Sequence, residues 1–261
     1  MGRIAPAPVG RVRRLFYTDE GRQAAKIAGR SAASSAIAID GPVASGKSSV
    51  GSRVAAALGW PFLDTGTMYR ALTWLTLQRG IDPCDAGGVG DLAETVTMRV
   101  RPPAAGSSEY AMVKVDGQDA TPFLRTPAVE RAVSIVSAMP RVRQRMVELQ
   151  RELAADHPVV MAGRDIGTVV LPDAMLKVFL DASAHTRAER RAAELARRGR
   201  PAPYEAVLAE TEARDRLDSE RSESPLLAAV DATVLHTDGM SEDEVVARIL
   251  ALARQTLGAQ V

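Results

Sequence analysis

Short apolar runs alternate with helical periods along most of the chain. Residues 158–162 are continuously apolar, and residues 175–180 are apolar apart from Lys177, which is typical of strands that are covered on both faces. The pattern predicts strands at 37–40, 61–64, 158–162, 175–180 and 232–236, and helices at 47–58, 67–79, 184–198, 203–222 and 242–257. We therefore expect an α/β fold with a parallel sheet flanked by helices.

The rhythm breaks over residues 90–126. Positions 96–100 and 110–115 alternate like strands, and Asp116-Gly117 is a hairpin signal, so we expect a small antiparallel insert followed by helical segments over about 128–156. Residues 1–35 are basic and rich in small residues, and we expect a disordered tail, with a partner-binding or targeting arm as the alternative. The domain proper is predicted to span 36–257.

Composition limits the function classes. The 261 residues carry a net charge of +1, but residues 1–35 carry +5 and the remainder −4, which argues against nucleic-acid binding by the domain. No apolar run is long enough to span a membrane. A single cysteine, Cys84, excludes an internal disulfide and suits a cytoplasmic protein. The chain has no Asn, so the guanine-reading N-K-x-D motif of GTPases cannot exist here.

The first predicted strand runs into a phosphate-binding loop of the form G-x-x-x-x-G-K-S. Gly41 and Gly46 permit backbone angles that turn successive N–H groups towards a phosphate, and a following helix points its positive end at the same anion. Lys47 would reach the β- and γ-phosphates, and the Ser48 hydroxyl would ligate Mg²⁺. The predicted nucleotide-binding residues are Gly41, Pro42, Val43, Ala44, Ser45, Gly46, Lys47, Ser48 and Ser49.

Three further clusters could hold a phosphate acceptor. The first is Leu63-Asp64-Thr65-Gly66 with Arg70, after the second strand, and the second is Gly163-Arg164-Asp165-Ile166-Gly167-Thr168, after the third. The third is Arg214, Asp218 and Arg221, which share one helix face. From spacing alone, each also fits a structural role: a solvated helix arginine, an ion pair between Arg164 and Asp165, or a salt-bridge ladder.

Arginine is dense between 187 and 200. Because this segment ends in Gly199-Arg200-Pro201 and was expected to lie between two helices, it predicts a lid over about 187–205 that closes on ATP. A basic, solvated helix face is the alternative. The arginines concerned are Arg187, Arg190, Arg191, Arg197, Arg198 and Arg200.

Residues 36–257 resemble the bacterial cytidylate kinases, which are nucleoside-monophosphate kinases. The resemblance rests on the phosphate loop and the three clusters, together with Pro140-Arg141-Val142-Arg143 and Ser224-Pro225-Leu226, all in the family's order. It implies a P-loop kinase fold with an enlarged nucleoside-monophosphate-binding insert, about 82–156, and a helical lid. It also implies ATP and Mg²⁺ as cofactors and CMP and dCMP as substrates, with no nucleic-acid or membrane partner, and we expect a monomer.

The resemblance also assigns roles to residues. Thr65, Tyr69, Arg70 and Arg164 would hold the acceptor, and Ser134, Arg143 and Asp165 match positions that read cytosine. Arg214 and Asp218 match ribose and phosphate contacts, and Arg221 a contact near the transferring group, so that Lys47, Arg164, Arg214 and Arg221 would be the catalytic residues. One departure is Ala162, where the family often has an acid, which weakens any Mg²⁺-water ligand at that position. The role of Asp40, in Mg²⁺ binding or in the turn, stays open.

Two other functions compete with this interpretation. One is a kinase of the same class for adenylate, uridylate or shikimate, which would lack the cytosine-reading residues. The other is a regulatory nucleotide-binding switch, which would ignore CMP. The absence of N-K-x-D and the excess of arginines at strand ends argue against the switch.

Overall fold

The computed structural model describes residues 35–103, 109–220 and 224–258. They form two compact units, one of residues 67–103 and 111–153 and the other of residues 35–66, 109–110, 154–220 and 224–258. Residues 1–34 of the expected tail lie outside the described residues, and so does Arg221. Within the described part of the chain, no helix is both long and apolar enough to cross a membrane.

The larger unit contains a five-stranded parallel sheet in the order β2-β6-β1-β7-β8. Its strands are β1 (Ala36–Asp40), β2 (Phe62–Asp64), β6 (Val159–Gly163), β7 (Leu176–Asp181) and β8 (Thr233–His236), and its helices α1 (Lys47–Leu58), α6 (Ala184–Arg197), α7 (Tyr204–Glu220) and α8 (Glu242–Gly258). Every residue of β1 is buried, as its apolar composition predicts for the central strand. The fold class and the bounds of these elements therefore agree with the pattern, mostly to within one or two residues.

Helices α1 and α8 share one hydrophobic core with the sheet. Val50 and Val54 of α1 and Ile249 of α8 pack with Ile37 and Ile39 of the central strand. The α8 helix begins with a capping box, because Ser241 Oγ accepts from the Glu244 amide and Glu244 Oε2 accepts from the Ser241 amide. This packing fixes the first turn of α1, and with it the phosphate loop, against the carboxyl end of β1.

The smaller unit contains the antiparallel sheet that the sequence predicts. Its elements are β3 (Met98–Arg101), β4 (Met112–Val115), β5 (Gln118–Asp119), α3 (Ala86–Thr95), α4 (Pro127–Ala138) and α5 (Pro140–Ala154), with most of α2 (Thr65–Gln78). The β4–β5 hairpin turns at Asp116 and Gly117, both with positive φ. The expected helical stretch is interrupted at Met139, which is extended and precedes Pro140.

Helix α3 was not predicted. Its sequence contains Gly87, Gly88 and Gly90, which disfavour a helix. Asp85 caps it by accepting from the amides of Gly87 and Gly88, and a Cβ at Gly90 would lie 2.8 Å from the Arg141 guanidinium. The Arg141 guanidinium therefore lies against Gly90 and would have to move to admit a Cβ there.

Candidate active site

The phosphate loop lies between β1 and α1, as predicted. Gly41 (φ 146°), Ala44 (φ 57°) and Gly46 (φ 94°) all have positive φ, which is the backbone geometry that such a loop requires. A Cβ at Gly41 would also lie 2.2 Å from the Leu180 carbonyl oxygen. The loop therefore curls tightly against the end of β7, and its last residues form the first turn of α1.

Lys47 is buried at the amino end of α1. Its Nζ donates to the Pro42 carbonyl and, over 3.2 Å, to Ser45 Oγ, so the lysine lies within the loop. Burial, followed by the positive charge of Arg164, holds the pKa of Lys47 well below its usual value. A bound anion at this position would favour the charged form.

Ser48 and Asp64 bring two oxygen ligands together. Ser48 Oγ donates to Asp64 Oδ2 over 2.7 Å, and the other Asp64 oxygen accepts from the Gly66 amide at 2.9 Å. The neighbouring Ser49 hydroxyl donates instead to the Gly46 carbonyl. A hydroxyl and a carboxylate beside a phosphate loop are the oxygen ligands that Mg²⁺ takes together with phosphate oxygens and water. The residues therefore fit Mg²⁺, and Asp64 is a candidate ligand that the sequence reasoning missed.

Arg164 pairs with Asp218 of α7, and no bond to Asp165 is seen. Its Nε lies 2.6 Å from Asp218 Oδ2, and its Nη1 donates to the Gly41 carbonyl over 3.4 Å. Burial lowers the pKa of Arg164, but the charge of Asp218 and the hydrogen bond to it outweigh burial and raise the pKa overall. The structural alternative, an ion pair between Arg164 and Asp165, is not what the structure shows for Arg164; its contact joins two of the three sequence clusters.

Asp40 holds the segment that follows β6. Its two carboxylate oxygens accept from the amides of Ile166 and Gly167, each over 2.7 Å, at the start of a π-helical turn (Ile166–Val170). Burial is the main cause that raises the pKa of Asp40 to about 6; the two hydrogen bonds lower it, and the nearby Asp165 raises it. Because both oxygens face amides, Asp40 fits the structural alternative rather than Mg²⁺ binding.

Arg214 adds a second positive charge beside Arg164. Burial and the charge of Arg164 lower its pKa to about 10, although Asp218 partly compensates. Its buried Nε has no hydrogen-bond partner among the described residues. Arg214 and Asp218 lie one turn apart on α7, as the spacing predicts, whereas Arg221 lies outside the described residues.

Thr65 is the buried first residue of α2, and its hydroxyl donates to the Ala162 carbonyl over 3.0 Å. A Cβ at Gly163 would lie 2.6 Å from this hydroxyl. The helix thus begins two residues earlier than the pattern predicts. The motif glycine keeps space for the threonine.

The smaller unit contains the other predicted substrate residues. The Arg143 guanidinium lies over the Tyr69 ring, 5.8 Å from its centroid, and its Nη1 donates to the Ser137 carbonyl over 3.3 Å. Arg70 is half-buried one residue after Tyr69, and Ser134 is half-buried on α4. Tyr69 and Arg143 are therefore held as one cation–π pair.

The arginine-rich segment was expected to lie between two helices, but most of it forms a helix. Residues 184–197 form α6, and Arg187 is buried in a bidentate ion pair with Asp215. Arg190 donates to Thr237, and Arg198 pairs with Glu109. The basic run is mostly a helix with internal partners, and only 198–203 connect α6 to α7.

Comparison with known proteins identifies the family. The model of the family described as "Cytidylate kinase" matches residues 37–255. A cytidylate kinase of Mycobacterium avium is 49% identical over 84% of this chain and 95% of its own length. The chain belongs to the cytidylate kinase family. It is therefore an enzyme of the nucleoside-monophosphate kinase class.

Other relatives extend the comparison. A bifunctional pantoate ligase/cytidylate kinase of a Synechococcus strain is 48% identical over 85% of this chain, and the match spans 41% of that longer protein. A gluconokinase structure from Sinorhizobium meliloti aligns with a TM-score of 0.43 and 19% identity, over 87% of this chain and 96% of its own. The residues that the family model matches include the phosphate loop, Arg164 and Asp218.

Proposed function

We propose that this cytidylate kinase family member transfers the γ-phosphoryl group of ATP to CMP and dCMP, giving CDP and dCDP. The observation that carries the proposal is the group of three buried or half-buried cations near the carboxyl end of β1: Lys47, Arg164 and Arg214. Arg164 lowers the pKa of each of the other two, so the three charges repel one another. A polyanion relieves that repulsion, and two nucleotides provide one.

The chemistry needs positioning and charge neutralisation more than proton transfer. The acceptor is a phosphate with a second pKa of about 6, and it is largely a dianion at neutral pH, so no general base is required. Lys47 would bind the β- and γ-phosphates, and Arg164, Arg214 and Arg221 would stabilise the charge of the group in transfer. Ser48 and Asp64 would hold Mg²⁺, which would supply positive charge to the ATP phosphates.

The acceptor nucleotide would be held at both ends. For its phosphate we propose Thr65, Arg70 and Arg164, because a hydroxyl and two guanidinium groups match phosphate oxygens. The carboxylate of Asp218 would accept from ribose hydroxyls, and the Tyr69 ring would line the acceptor site.

Cytosine would be selected by hydrogen-bond acceptors. Cytosine carries an N4 amino donor where uracil carries a carbonyl oxygen, and a buried acceptor left without a donor disfavours uracil. We assign this role to the carboxylate of Asp165, which is buried, and to the hydroxyl of Ser134. Arg143, which can only donate, would bind acceptor atoms of the base. A kinase for adenylate, uridylate or shikimate would not need this set.

A coupled spectrophotometric assay with ATP and CMP, dCMP, UMP, AMP or GMP tests the proposal. We expect efficient use of CMP and dCMP and poor use of UMP, with no turnover when Mg²⁺ is chelated. Equal or better use of UMP or AMP would contradict the assigned substrate. ATP hydrolysis that is indifferent to CMP would indicate a switch instead.

We further propose that the enzyme acts as a cytoplasmic monomer. The free, exposed thiol of Cys84 suits a reducing compartment. Analytical ultracentrifugation tests the oligomeric state, and a concentration-dependent dimer would contradict it. Cell fractionation tests the compartment.

A further inference from the structure

Arg187 joins three parts of the larger unit. Its Nη1 and Nη2 donate to the two Asp215 oxygens on α7 over 2.9 and 2.6 Å. Its Nε donates to the Ala182 carbonyl, just after β7, over 2.8 Å, and Nη1 also reaches the Val43 carbonyl of the phosphate loop at 3.4 Å. The side chain is 6% exposed, so solvent screens these contacts little.

A second arginine makes the same kind of connection one turn further along α7. Arg164 binds Asp218 through Nε and the Gly41 carbonyl through Nη1. Asp215 and Asp218 are three residues apart, and Gly41 and Val43 are two residues apart in the loop. Helix α7 is thus attached to the phosphate loop by two arginine–aspartate bridges, each of which ends on a loop carbonyl.

The two bridges differ in the groups that surround the arginine. The arrangement around Arg187 consists of protein acceptors: one carboxylate and two carbonyls. Arg164, in contrast, lies close enough to Arg214 for its charge to lower the pKa of Arg214, and Asp218 acts on both arginines. Arg187 therefore suits a structural link better than a contact with nucleotide.

We propose that Arg187 and Asp215 are a positioning pair that sets α7 against the phosphate loop, so that Arg214 and Asp218 face the bound nucleotides. Arg187 itself touches neither nucleotide. The inference rests on the proposed function, because Arg214 and Asp218 are assigned to the substrates there. It replaces the lid role that the sequence suggested for Arg187.

The test compares Asp215→Asn and Arg187→Met with a second bidentate ion pair in the unit, in which the cation is buried and the carboxylate is exposed. Lys177, also buried, binds both oxygens of Asp231 over 2.8 and 2.9 Å, and neither residue has an assigned role in the site. Lys177→Met and Asp231→Asn therefore report the cost of breaking an ion pair of a buried cation away from the site. KM for CMP, KM for ATP, kcat and Tm are measured for every variant.

We expect Asp215→Asn to raise KM for CMP on the order of tenfold, since a small displacement of α7 moves Arg214 and Asp218. Arg187→Met should raise KM for both substrates, because it also releases Val43. The control variants should lower Tm but leave both KM values within about twofold of wild type. The double variant Arg187→Met/Asp215→Asn should be no worse than Arg187→Met alone, because the two residues act as one unit.

Two results would overturn the proposal. One is an Asp215→Asn protein, folded by circular dichroism, with wild-type KM for CMP. The other is an additive double variant, which would mean that Arg187 acts independently of Asp215, as a nucleotide ligand would. If Arg187→Met does not fold, Arg187→Lys enters the same cycle, because it keeps the charge but loses the bidentate contact.

Failure of the proposed function gives a different result. A wild-type enzyme that is inactive with CMP and dCMP would refute the function and leave the pair testable. Calorimetric ADP affinity then replaces the kinetic constants. It should fall in Arg187→Met and stay unchanged in Lys177→Met, and equal affinities in the two variants would overturn the positioning role.

Discussion

The Nε atom of Arg164 lies 2.6 Å from Oδ2 of Asp218, across 54 positions of sequence. This contact connects the segment after β6 to helix α7, and Arg164 continues to the carbonyl of Gly41. Three sequence segments that carry charged motifs thus converge at one edge of the sheet. The following predictions test what that edge does.

Lys47→Ala should abolish phosphoryl transfer and leave the fold intact, because Lys47 contacts the phosphate loop and supports no hydrophobic core. Turnover with CMP and the circular dichroism spectrum measure the two effects. Lys177→Met, which also removes a buried lysine, is the control and should retain turnover. Activity above about a tenth of wild type in Lys47→Ala would contradict the assignment.

Asp165→Asn should weaken discrimination against UMP. An amide donates as well as accepts, so the O4 atom of uracil no longer faces only acceptors. The ratio of kcat/KM for CMP and UMP should fall on the order of tenfold or more. A ratio that stays at the wild-type value, in a variant that remains active, would remove Asp165 from base recognition.

Gly163→Ala should impair the acceptor site. The new Cβ would lie 2.6 Å from both Thr65 Oγ1 and Ile166 Cδ1, so one of these side chains must move. We expect a loss of about 1–3 kcal/mol in the free energy of unfolding and a higher KM for CMP. Gly258→Ala is the control, because nothing lies within 4 Å of its Cβ position. An unchanged KM in Gly163→Ala would separate Thr65 from acceptor binding.

Asp40 should make the stability depend on pH between about 4 and 6. Its folded-state pKa of about 6 exceeds the usual value of 3.8 for an aspartate, so the folded state binds more protons in this window. This contribution to stability is present below pH 4 and is lost as pH rises through 6, with an upper limit of about 3 kcal/mol. The charges of Asp165 and Lys47 also act on the pKa of this carboxyl, and they are unchanged in the Asp40→Asn variant with which the wild type is compared.

Asp40→Asn removes the titration, so the difference in unfolding free energy between wild type and variant should change over that window and be flat above about pH 7. Denaturant unfolding at a series of pH values measures it. A difference that is constant from pH 4 to pH 7 would show that Asp40 does not titrate there.

Hydrogen exchange tests the lid, which remains a proposal. If the connection between α6 and α7 closes on nucleotides, amides from about 190 to 205 should gain protection when ATP and CMP, or a two-substrate analogue, are bound. Because 184–197 are already helical, the gain should be concentrated after Arg197. Protection that is high without ligand and unchanged by it would identify this run as a fixed helix face.

Local chemistry made much of the fold predictable from sequence. The phosphate loop and α1 follow from glycine placement and a stop at Gly59, and α1 ends at Leu58 as expected. Contacts between residues far apart in the chain were harder to predict from the sequence. Spacing places Arg164 beside Asp165, but only the sheet order and the path of α7 bring Asp218 to it.

The same limit explains why the arginine-rich segment was interpreted as a lid between two helices, although the pattern also predicts the helix over 184–198 that the structure contains. Composition counts the charge of Arg187 but does not show Asp215, 28 residues later, which neutralises it. Helix α3 was missed because its glycines disfavour a helix, and the sequence does not show that Gly90 lies against Arg141. In both cases the deciding contact lies far away in the chain.

The close approach of Gly41 to the Leu180 carbonyl has a consequence for reading related sequences. The space at Gly41 is closed by protein backbone, so the glycine is demanded by folding before any nucleotide arrives. The side chain of Lys47 is not under a comparable steric constraint. A relative that keeps a glycine at this position but has lost the lysine would meet this backbone constraint without the residue that we propose for phosphoryl transfer, so the lysine, rather than the glycine, bears on whether such a chain is still a kinase.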